Sequence, residues 1–356
     1  MISSPHASIT RLLAVLAVLA LVAIACSDGD DTDASSSDAE ASASEPAATD
    51  DADDASTADS EPAVRTMEHV GGTTDVPTDP QNILALDEYT ALMMWDLGVE
   101  PATVYHSLLT VYTEPIADAF GVELIEHALA EPAIEASAAL APDLIVSFAH
   151  PTTLDSYDTW AEVGPMFIYA DADPWRDQFL TVGDALGAED AAARRIAELD
   201  AEIARIAAEI DAAYDEPPTV SIVGAIGGAS PFAVPDSLSA TAALLRKLGL
   251  GRPEAQQVEV EPELPFIFFS EETLLDHDAD FIFALADGGF YGDGISELSL
   301  APSLTGVTTN ISGEFWFASF PFAVAWILAD IEAVLLGDGE ARTGADVLDH
   351  WDAYIG

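Results

Sequence analysis

The order of apolar and polar positions predicts an α/β lobe in residues 64–183. Short apolar runs recur in this segment, and polar positions or stretches with helical spacing separate them. Such short, uninterrupted runs are typical of strands buried in a parallel sheet, and the stretches between them are long enough for crossover helices. The predicted strands are 82–86, 102–105, 144–147 and 165–169, and the predicted helices are 90–98 and 134–140.

The pattern changes in residues 189–214, which contain neither glycine nor proline. Isoleucine and leucine recur there at alternating spacings of three and four, which places them on one face of a helix. At roughly 1.5 Å per residue this helix would be about 39 Å long, enough to cross a domain. A coiled-coil dimer is the alternative interpretation, although the stripe covers barely two heptads. The stripe consists of Ile196, Leu199, Ile203, Ile206 and Ile210.

A second α/β lobe is predicted after Pro217 and Pro218, where apolar runs and helical spacing alternate again. Its predicted strands are 219–224, 266–269 and 281–285, and its predicted helices are 240–249, 272–275, 322–336 and 342–355. The predicted organisation of the folded part is a lobe at 64–183, a linking helix at 184–216 and a lobe at 217–356.

The first 26 residues have the pattern of a targeting segment. Arg11 precedes an apolar run over 12–25, which is too short to span a bilayer as a mature helix and is typical of a signal peptide. The run ends in Ala-Ile-Ala-Cys, which resembles the lipobox of prokaryotic lipoproteins, with Ala23 in place of the usual leucine. Cleavage before Cys26 would leave a lipid-modified first residue that anchors the protein to the outer face of the cell membrane. The alternative is an ordinary secretory signal with a chance cysteine.

Charge and composition narrow the class of partner. Residues 27–63 carry 13 acidic residues and no basic residue, which predicts a disordered acidic tether. The whole chain has 64 acidic and 10 basic residues, a formal charge of −54. So few cations argue against binding to nucleic acid and against adhesion to anionic membranes through protein charge. The acidity favours a salt-tolerant, halophilic-type host, and the single cysteine excludes an intramolecular disulfide.

Several motifs follow one another in a recognisable order along nearly all of 64–356. They comprise Pro-Gln-Asn-Ile-Leu-Ala-Leu-Asp at 80–87, Leu-Gly-Val-Glu-Pro at 97–101, a glutamate that opens a helix ahead of Leu-Ala-Pro-Asp-Leu-Ile at 135–145, a Trp-to-Gly segment at 175–187, Leu-Leu-Arg-Lys-Leu-Gly-Leu at 244–250, Ser-Glu-Glu-Thr-Leu at 270–274 and Asp-Ala-Asp-Phe-Ile-Phe at 278–283. In this order they resemble a periplasmic binding protein, the substrate-binding component of an ABC importer, of the class that carries ferric siderophores, haem or cobalamin.

The resemblance implies a class III fold, in which two Rossmann-like lobes are joined by one long rigid α-helix and the ligand lies in the cleft between them. It implies an extracytoplasmic monomer that hands a ferric siderophore to an ABC permease and its ATPase, without catalysis and without a resident cofactor. One exposed glutamate on each lobe would dock on the permease, which maps to Glu135 and Glu272, with Glu271 as the near rival. Haem, cobalamin and a metal ion stay open as alternative ligands of the same fold.

Cleft residues are expected directly after strand ends, where α/β sheets bind their ligands. The set obtained in this way is rich in aromatic side chains and poor in cations, which suits a bulky, partly apolar chelate. A neutral or cationic ferric hydroxamate therefore fits better than a strongly negative ferric catecholate. The candidates are Tyr89, Tyr105, His106, His150, Tyr169, Arg176, Phe232, Tyr291 and Trp316.

Direct metal binding and catalysis have weaker support. None of the seven histidines shows ligand spacing, although His106 and His150 could meet in the cleft. The glycine-rich run at 224–228 lacks the lysine of a phosphate loop and the spacing of a dinucleotide site. Neither a Gly-x-Ser-x-Gly nor a His-Glu-x-x-His motif is present. An extracellular hydrolase and an adhesion lipoprotein are the alternatives from other functional classes.

Overall fold

A computed structural model describes residues 63–106, 110–127, 134–170, 174–227, 230–236, 240–260, 266–286, 291–337 and 339–356. Cys26, the signal segment and nearly all of the acidic segment 27–63 lie outside the described residues, so their assignments stay predictions. The described chain opens with an antiparallel hairpin of β1 (Val64–His69) and β2 (Gly72–Pro77), which the sequence pattern does not predict. The hydroxyl of Thr74 attaches this hairpin to the first lobe by donating to the main-chain oxygen of Met166 at 2.7 Å.

The first lobe is built on a five-stranded sheet. Its strands are β3 (Ile83–Ala85), β4 (Thr103–His106), β5 (Glu123–Glu126), β6 (Leu144–Phe148) and β7 (Met166–Tyr169). Their order is β5-β4-β3-β6-β7 and every neighbouring pair is parallel, which confirms the predicted parallel sheet. The helices of this lobe are α1 (Glu88–Asp96), α2 (Thr110–Phe120), α3 (Ile134–Leu140), α4 (Pro151–Asp155), α5 (Tyr157–Ala161) and α6 (Trp175–Ala185).

One long helix, α7 (Glu189–Ala213), connects the two lobes. The predicted stripe forms its buried face: Leu199, Ile203, Ile206 and Ile210 are buried and Ile196 is partly buried against the core. Gly183 lets α6 pack closely against α7, because a Cβ added there would come within 2.7 Å of the side chain of Ala192. The stripe is therefore used for packing within this chain.

The second lobe contains a mixed sheet. Its strands are β8 (Val220–Ile226), β9 (Ser230–Ala233), β10 (Ile267–Phe268), β11 (Phe281–Leu285) and β12 (Val307–Ile311). Their order is β10-β9-β8-β11-β12; β8, β11 and β12 are parallel, and β9 runs antiparallel to both of its neighbours. The helices are α8 (Ala240–Lys247), α9 (Gly313–Phe317), α10 (Pro321–Leu336) and α11 (Val347–Ile355). Short 3-10 segments are Glu254–Gln256, Glu271–His277, Ala301–Ser303 and Gly344–Asp346, so the helix predicted at 272–275 has 3-10 geometry.

Helix α10 holds the two lobes together through the core. It is apolar on nearly all sides and contacts α1 and α6 of the first lobe, α7, and α8, α9 and α11 of the second lobe. A helix that is apolar all round is stable only when it is buried on all sides, which explains this central position. Among the described helices, none combines the length and the apolar character that crossing a bilayer requires.

Candidate functional site

The carboxyl ends of the first-lobe strands face the second lobe. Tyr89 follows β3 at the start of α1, and its ring centroid lies 6.1 Å from that of Phe148 at the end of β6. On its other side the Tyr89 ring lies 5.8 Å from that of Phe320, which precedes α10. The strand ends where α/β sheets bind ligands therefore meet the segment that follows β12 in the second lobe.

A buried carboxyl group lies beneath this contact. Asp87 caps α1, accepting a hydrogen bond from the main-chain N–H of Thr90 at 2.7 Å and from its hydroxyl at 2.8 Å. The N–H of Phe148 also donates to Asp87, at 3.2 Å. The hydroxyls of Thr90 and Tyr169 lie 3.1 Å apart, so Tyr169 joins the same network. Burial outweighs these hydrogen bonds and raises the pKa of Asp87 to about 7.

The surroundings of Tyr89 are acidic. Burial is the largest cause that raises the pKa of its phenol, and the negative charges of Glu88 and Asp87 raise it further. Two second-lobe groups, Tyr291 and Glu314, add to the same shift and are therefore near Tyr89. Carboxylates and phenols from both lobes thus lie near Tyr89. A ligand group with positive charge or with hydrogen-bond donors would be favoured at this place.

An aromatic cluster continues from Tyr291 into the second lobe. The ring of Phe232 lies 5.9 Å from that of Tyr291 and 4.6 Å from that of Phe266. Phe266 also lies 4.7 Å from Phe317, and Phe268 is half exposed at the margin of the cluster. These rings form an apolar wall next to the acidic groups around Tyr89. Such a wall is suited to contact a bulky, partly apolar molecule.

Arg176 is paired with a carboxylate of the linking helix. Its guanidinium makes a bidentate ion pair with Asp200 of α7, and the Nη1 contact measures 2.7 Å. The same group lies 4.6 Å from the ring centroid of Trp175. The charge of Arg176 is therefore compensated at the junction of α6 and α7.

The other described basic residues follow the same pattern. Five arginines form ion pairs, which are Arg65 with Asp184, Arg195 with Asp96, Arg205 with Glu202, Arg246 with Asp236 and Arg342 with Asp330. Arg252 is buried and donates to the main-chain oxygen of Val234 and to Gln256. Arg194 and Lys247 lie on α7 and α8, away from the strand ends. Within the described ranges, no cation is therefore available to balance a strongly negative ligand at Tyr89.

The remaining first-lobe candidates have local partners. The hydroxyl of Tyr105 lies 3.0 Å from that of Ser137 and connects β4 to α3. His106 is buried beside a cavity of about 640 Å³ between α2 and β5, which Glu114 and Asp118 also line. His150 caps α4, and its ring lies 5.9 Å from that of Phe148.

In the second lobe, Trp316 is fully buried and its indole N–H donates to Asp330 at 2.8 Å. Phe232 is also fully buried, at the base of the aromatic cluster. The structure thus links Tyr89 and His150 through the ring of Phe148, and links Tyr169 to Asp87 through Thr90. It gives Tyr105, His106, Arg176 and Trp316 other neighbours. Sequence reasoning missed the roles of Phe266, Phe268, Glu314 and Phe320 in this region; an aromatic run next to a short edge strand is the signal that could have identified the first two.

The two glutamates expected to dock on a permease are exposed on different lobes. Glu135 lies in the first turn of α3, and Glu272 lies in the 3-10 segment Glu271–His277. Glu271 instead accepts hydrogen bonds from the main chain and hydroxyl of Ser299 and from the N–H of Leu300. Its carboxylate has a local structural role, which leaves Glu272 as the more accessible group.

The sequence profile described as "Periplasmic binding protein" matches residues 127–315, more than half of the chain. The chain belongs to the periplasmic binding protein family. Membership implies an extracytoplasmic location and a substrate-binding role in transport, and it excludes the enzyme alternative. No curated protein matches the chain.

Several solved periplasmic binding proteins share this architecture. SirA of Staphylococcus aureus, complexed with staphyloferrin B, is 20% identical with a TM-score of 0.64 over 76% of this chain and 98% of SirA. A FhuD-fold component of a Fep/Fec-like ferrichrome ABC transporter from Bacillus subtilis is 19% identical with a TM-score of 0.63, over 76% and 99%. The siderophore periplasmic binding protein from the fuscachelin gene cluster of Thermobifida fusca is 24% identical with a TM-score of 0.59, over 72% and 97%. This likeness confirms the class III fold with one linking helix.

Proposed function

We propose that this periplasmic binding protein captures a ferric siderophore in the cleft between its lobes and delivers it to an ABC permease driven by an ATPase. The observation that carries the proposal is the convergence of Tyr89, Tyr291 and the aromatic cluster at the facing ends of the two sheets. The proteins of similar fold support it, because their names connect them with staphyloferrin B, ferrichrome and fuscachelin. Iron enters as part of the cargo and not as a resident cofactor.

The charges around Tyr89 select among siderophores. Glu88 and Glu314 supply negative charge there, and Asp87 adds to it once the pH exceeds its pKa of about 7. The described arginines are paired elsewhere. A ferric tricatecholate would bring further negative charge into a poorly solvated site, where like charges repel strongly. We therefore infer a neutral or cationic ferric hydroxamate, with its donor groups towards the carboxylates and its apolar arms against the aromatic wall.

The candidate contacts differ in their expected roles. Tyr89, His150 and Tyr291 are proposed as direct contacts, and Tyr169 as the group that orients Thr90 and Asp87. Phe232 supports the aromatic wall from beneath. Permease docking through Glu135 and Glu272, and lipid anchoring through Cys26, complete the proposal.

The test is a tryptophan-fluorescence titration of the purified protein in high salt. The probes are ferric hydroxamates, ferric catecholates, haem, cobalamin and zinc. Saturable quenching by a ferric hydroxamate, with a weaker response to catecholates, is the expected result. Saturation by haem, cobalamin or zinc would overturn the ligand assignment, and no response from folded protein would overturn the siderophore role.

A pair of variants locates the site. Tyr89→Phe removes one phenolic hydroxyl from the proposed cleft and keeps the ring. We expect it to weaken ligand affinity about tenfold, because one hydrogen bond of about 1.4 kcal/mol is lost. Tyr214→Phe is the matched control, because its hydroxyl donates to the main-chain oxygen of Leu335 at 2.6 Å, at the end of α7. Equal affinity losses in the two variants would argue against binding at Tyr89.

A further inference from the structure

Helix α11 is the last helix of the second lobe, but it packs on both lobes. Trp351, which is fully buried, lies with its ring 4.8 Å from that of Phe322 on α10. Its ring also lies 6.3 Å from that of Phe120, the last residue of α2 in the first lobe. The C-terminal helix therefore bridges the lobes on a different path from α7.

Three polar residues tie this bridge to the first lobe and to α7, and we call Asp96, Arg195 and Tyr354 the hinge cluster. The Nε–H of Arg195 donates to Oδ1 of Asp96 at 2.7 Å, and the hydroxyl of Tyr354 donates to Oδ2 of Asp96 at 2.5 Å. Arg195 also donates through Nη1 to the main-chain oxygen of Tyr354 at 2.8 Å, and its guanidinium lies 4.0 Å from the Tyr354 ring centroid. Helices α1, α7 and α11 thus meet at a single carboxylate.

The charged groups of the hinge cluster are largely buried, so they depend on one another for hydrogen bonds and charge compensation. The side chain of Asp96 is 1% exposed and that of Arg195 is 15% exposed. Burial raises the pKa of Asp96, while the charge of Arg195 opposes that shift. A buried ion pair adds little net stability compared with apolar packing, but removing one partner leaves an uncompensated buried charge. Such a cluster therefore resists displacement of any of its three helices.

Helix α1 connects the hinge cluster to the cleft. Asp96 is its last residue, and Tyr89 lies in its first turn. The two residues are seven positions apart, which corresponds to about 10 Å along the helix axis. Because a helix transmits rotation as a rigid rod, a small change in the direction of α1 at Asp96 would move Tyr89 relative to Tyr291.

We propose that Asp96, Arg195 and Tyr354 are positioning residues that set the angle between the two lobes and thereby the width of the ligand cleft. This inference rests on the proposed function, because it assigns the cleft to the site around Tyr89. The expected consequence is size selectivity: the cluster favours chelates that fit the preset width and disfavours larger or smaller ones.

Tyr354→Phe and Asp96→Asn test the proposal. Tyr354→Phe keeps the ring over Arg195 and removes only the hydrogen bond to Asp96, while Asp96→Asn removes the negative charge. The control is Glu332→Gln, which removes an ion-pair partner of Arg205 at 2.8 Å, between α7 and α10, without touching the first lobe.

The measurement is the distance distribution between spin labels on the two lobes, together with the affinities for two ferric hydroxamates of different size. Exposed positions 159 and 303 take the labels as Thr159→Cys and Ser303→Cys, in a Cys26→Ser background. Both hinge variants are expected to shift or broaden the distance distribution and to change the ratio of the two affinities by about fivefold, a typical size for coupling between sites. Glu332→Gln is expected to change neither quantity.

A lower melting temperature with unchanged distances and unchanged selectivity would reduce the cluster to a structural role and overturn the proposal. If Asp96→Asn does not fold, the milder Tyr354→Phe decides the outcome by the same readouts. If the unaltered protein binds no siderophore, the proposed function fails, and the label distances still report whether the cluster sets the lobe angle.

Discussion

Asp87 combines two tasks at the carboxyl end of β3. Its carboxylate caps α1 through Thr90, and it accepts a hydrogen bond from the N–H of Phe148 on the neighbouring strand β6. The side chain is 5% exposed, and no described cation pairs with it. The protein thus keeps an acid beneath the cleft whose charged form is poorly solvated.

Replacement of Asp87 is expected to change how the stability of the protein depends on pH. The pKa of Asp87 is about 7 in the folded protein against an ordinary value of 3.8, so the folded state holds the proton more tightly. The contribution of Asp87 to the free energy of unfolding is therefore fully present below about pH 4. It falls by about 1.4 kcal/mol per pH unit above that, a loss of roughly 4 kcal/mol by about pH 7. In Asp87→Asn this part of the slope is expected to disappear, as measured by denaturant unfolding from pH 4 to pH 8 at constant salt.

Asp280→Asn is the control of opposite sign. Asp280 accepts hydrogen bonds from the N–H and hydroxyl of Thr219, which lower its pKa. Its contribution is present above about pH 4 and is lost as the pH falls, so this variant leaves the slope between pH 4 and pH 7 unchanged. A wild-type slope in Asp87→Asn would mean that the Asp87 carboxyl titrates normally in the folded state.

At the scale of elements, two short helical segments carry the proposed docking glutamates on firm supports. Helix α3 is held by Ser137, which is buried and lies 3.0 Å from the Tyr105 hydroxyl. The 3-10 segment Glu271–His277 is held by the buried Leu274 and by the hydrogen bonds of Glu271. Exposed charges on rigid elements are well suited to orient a partner during association.

The double variant Glu135→Ala plus Glu272→Ala tests this docking role. Ligand affinity is expected to stay within about twofold, because neither residue lies among the cleft candidates, while uptake into cells is lost through weaker binding to the permease. The measurements are the fluorescence titration and accumulation of radiolabelled iron chelate in cells.

Glu162→Ala plus Glu297→Ala makes the same change of charge at two other exposed positions, one on each lobe. This control pair is expected to leave uptake unchanged. Loss of ligand affinity in the docking variant, or equal loss of uptake in the control, would contradict a docking function for Glu135 and Glu272.

At the scale of the whole molecule, charge and anchoring are separate properties. The chain carries a formal charge of −54, and most of the described arginines are already paired with carboxylates. Such a surface repels an anionic membrane, so attachment requires another source of affinity. The proposed source is the lipid on Cys26.

Substitution of Cys26 is expected to move the protein from the membrane fraction to the soluble fraction. Wild-type protein is expected to sediment with membranes and to resist a high-salt wash, because acyl-chain insertion does not depend on ionic strength. Cys26→Ser is expected to move the protein to the soluble fraction, and Ser27→Ala serves as the control that keeps the anchor. Immunoblots of both fractions make the comparison; membrane-bound Cys26→Ser protein would refute lipid anchoring at this residue.

The sequence predicts elements best where the local pattern is strong. The 3-4 spacing without glycine or proline predicts α7, and the apolar run predicts β11 with its observed limits. The sequence pattern does not predict α2, because this helix contains Pro115 and proline normally ends a helix. The pattern does not predict β12 either, because four of its five residues are exposed or only half buried and form no apolar run.

Local periodicity and motif spacing are enough to predict two α/β lobes and the helix that links them. The grouping of candidate residues into a site depends instead on how the folded chain packs. Tyr89 and Arg176 both occupy positions typical of a cleft residue, yet Tyr89 meets Phe320 across the lobes and Arg176 pairs with Asp200. The physical reason is that a long side chain reaches whichever partner the packing brings near, and sequence separation does not specify that partner.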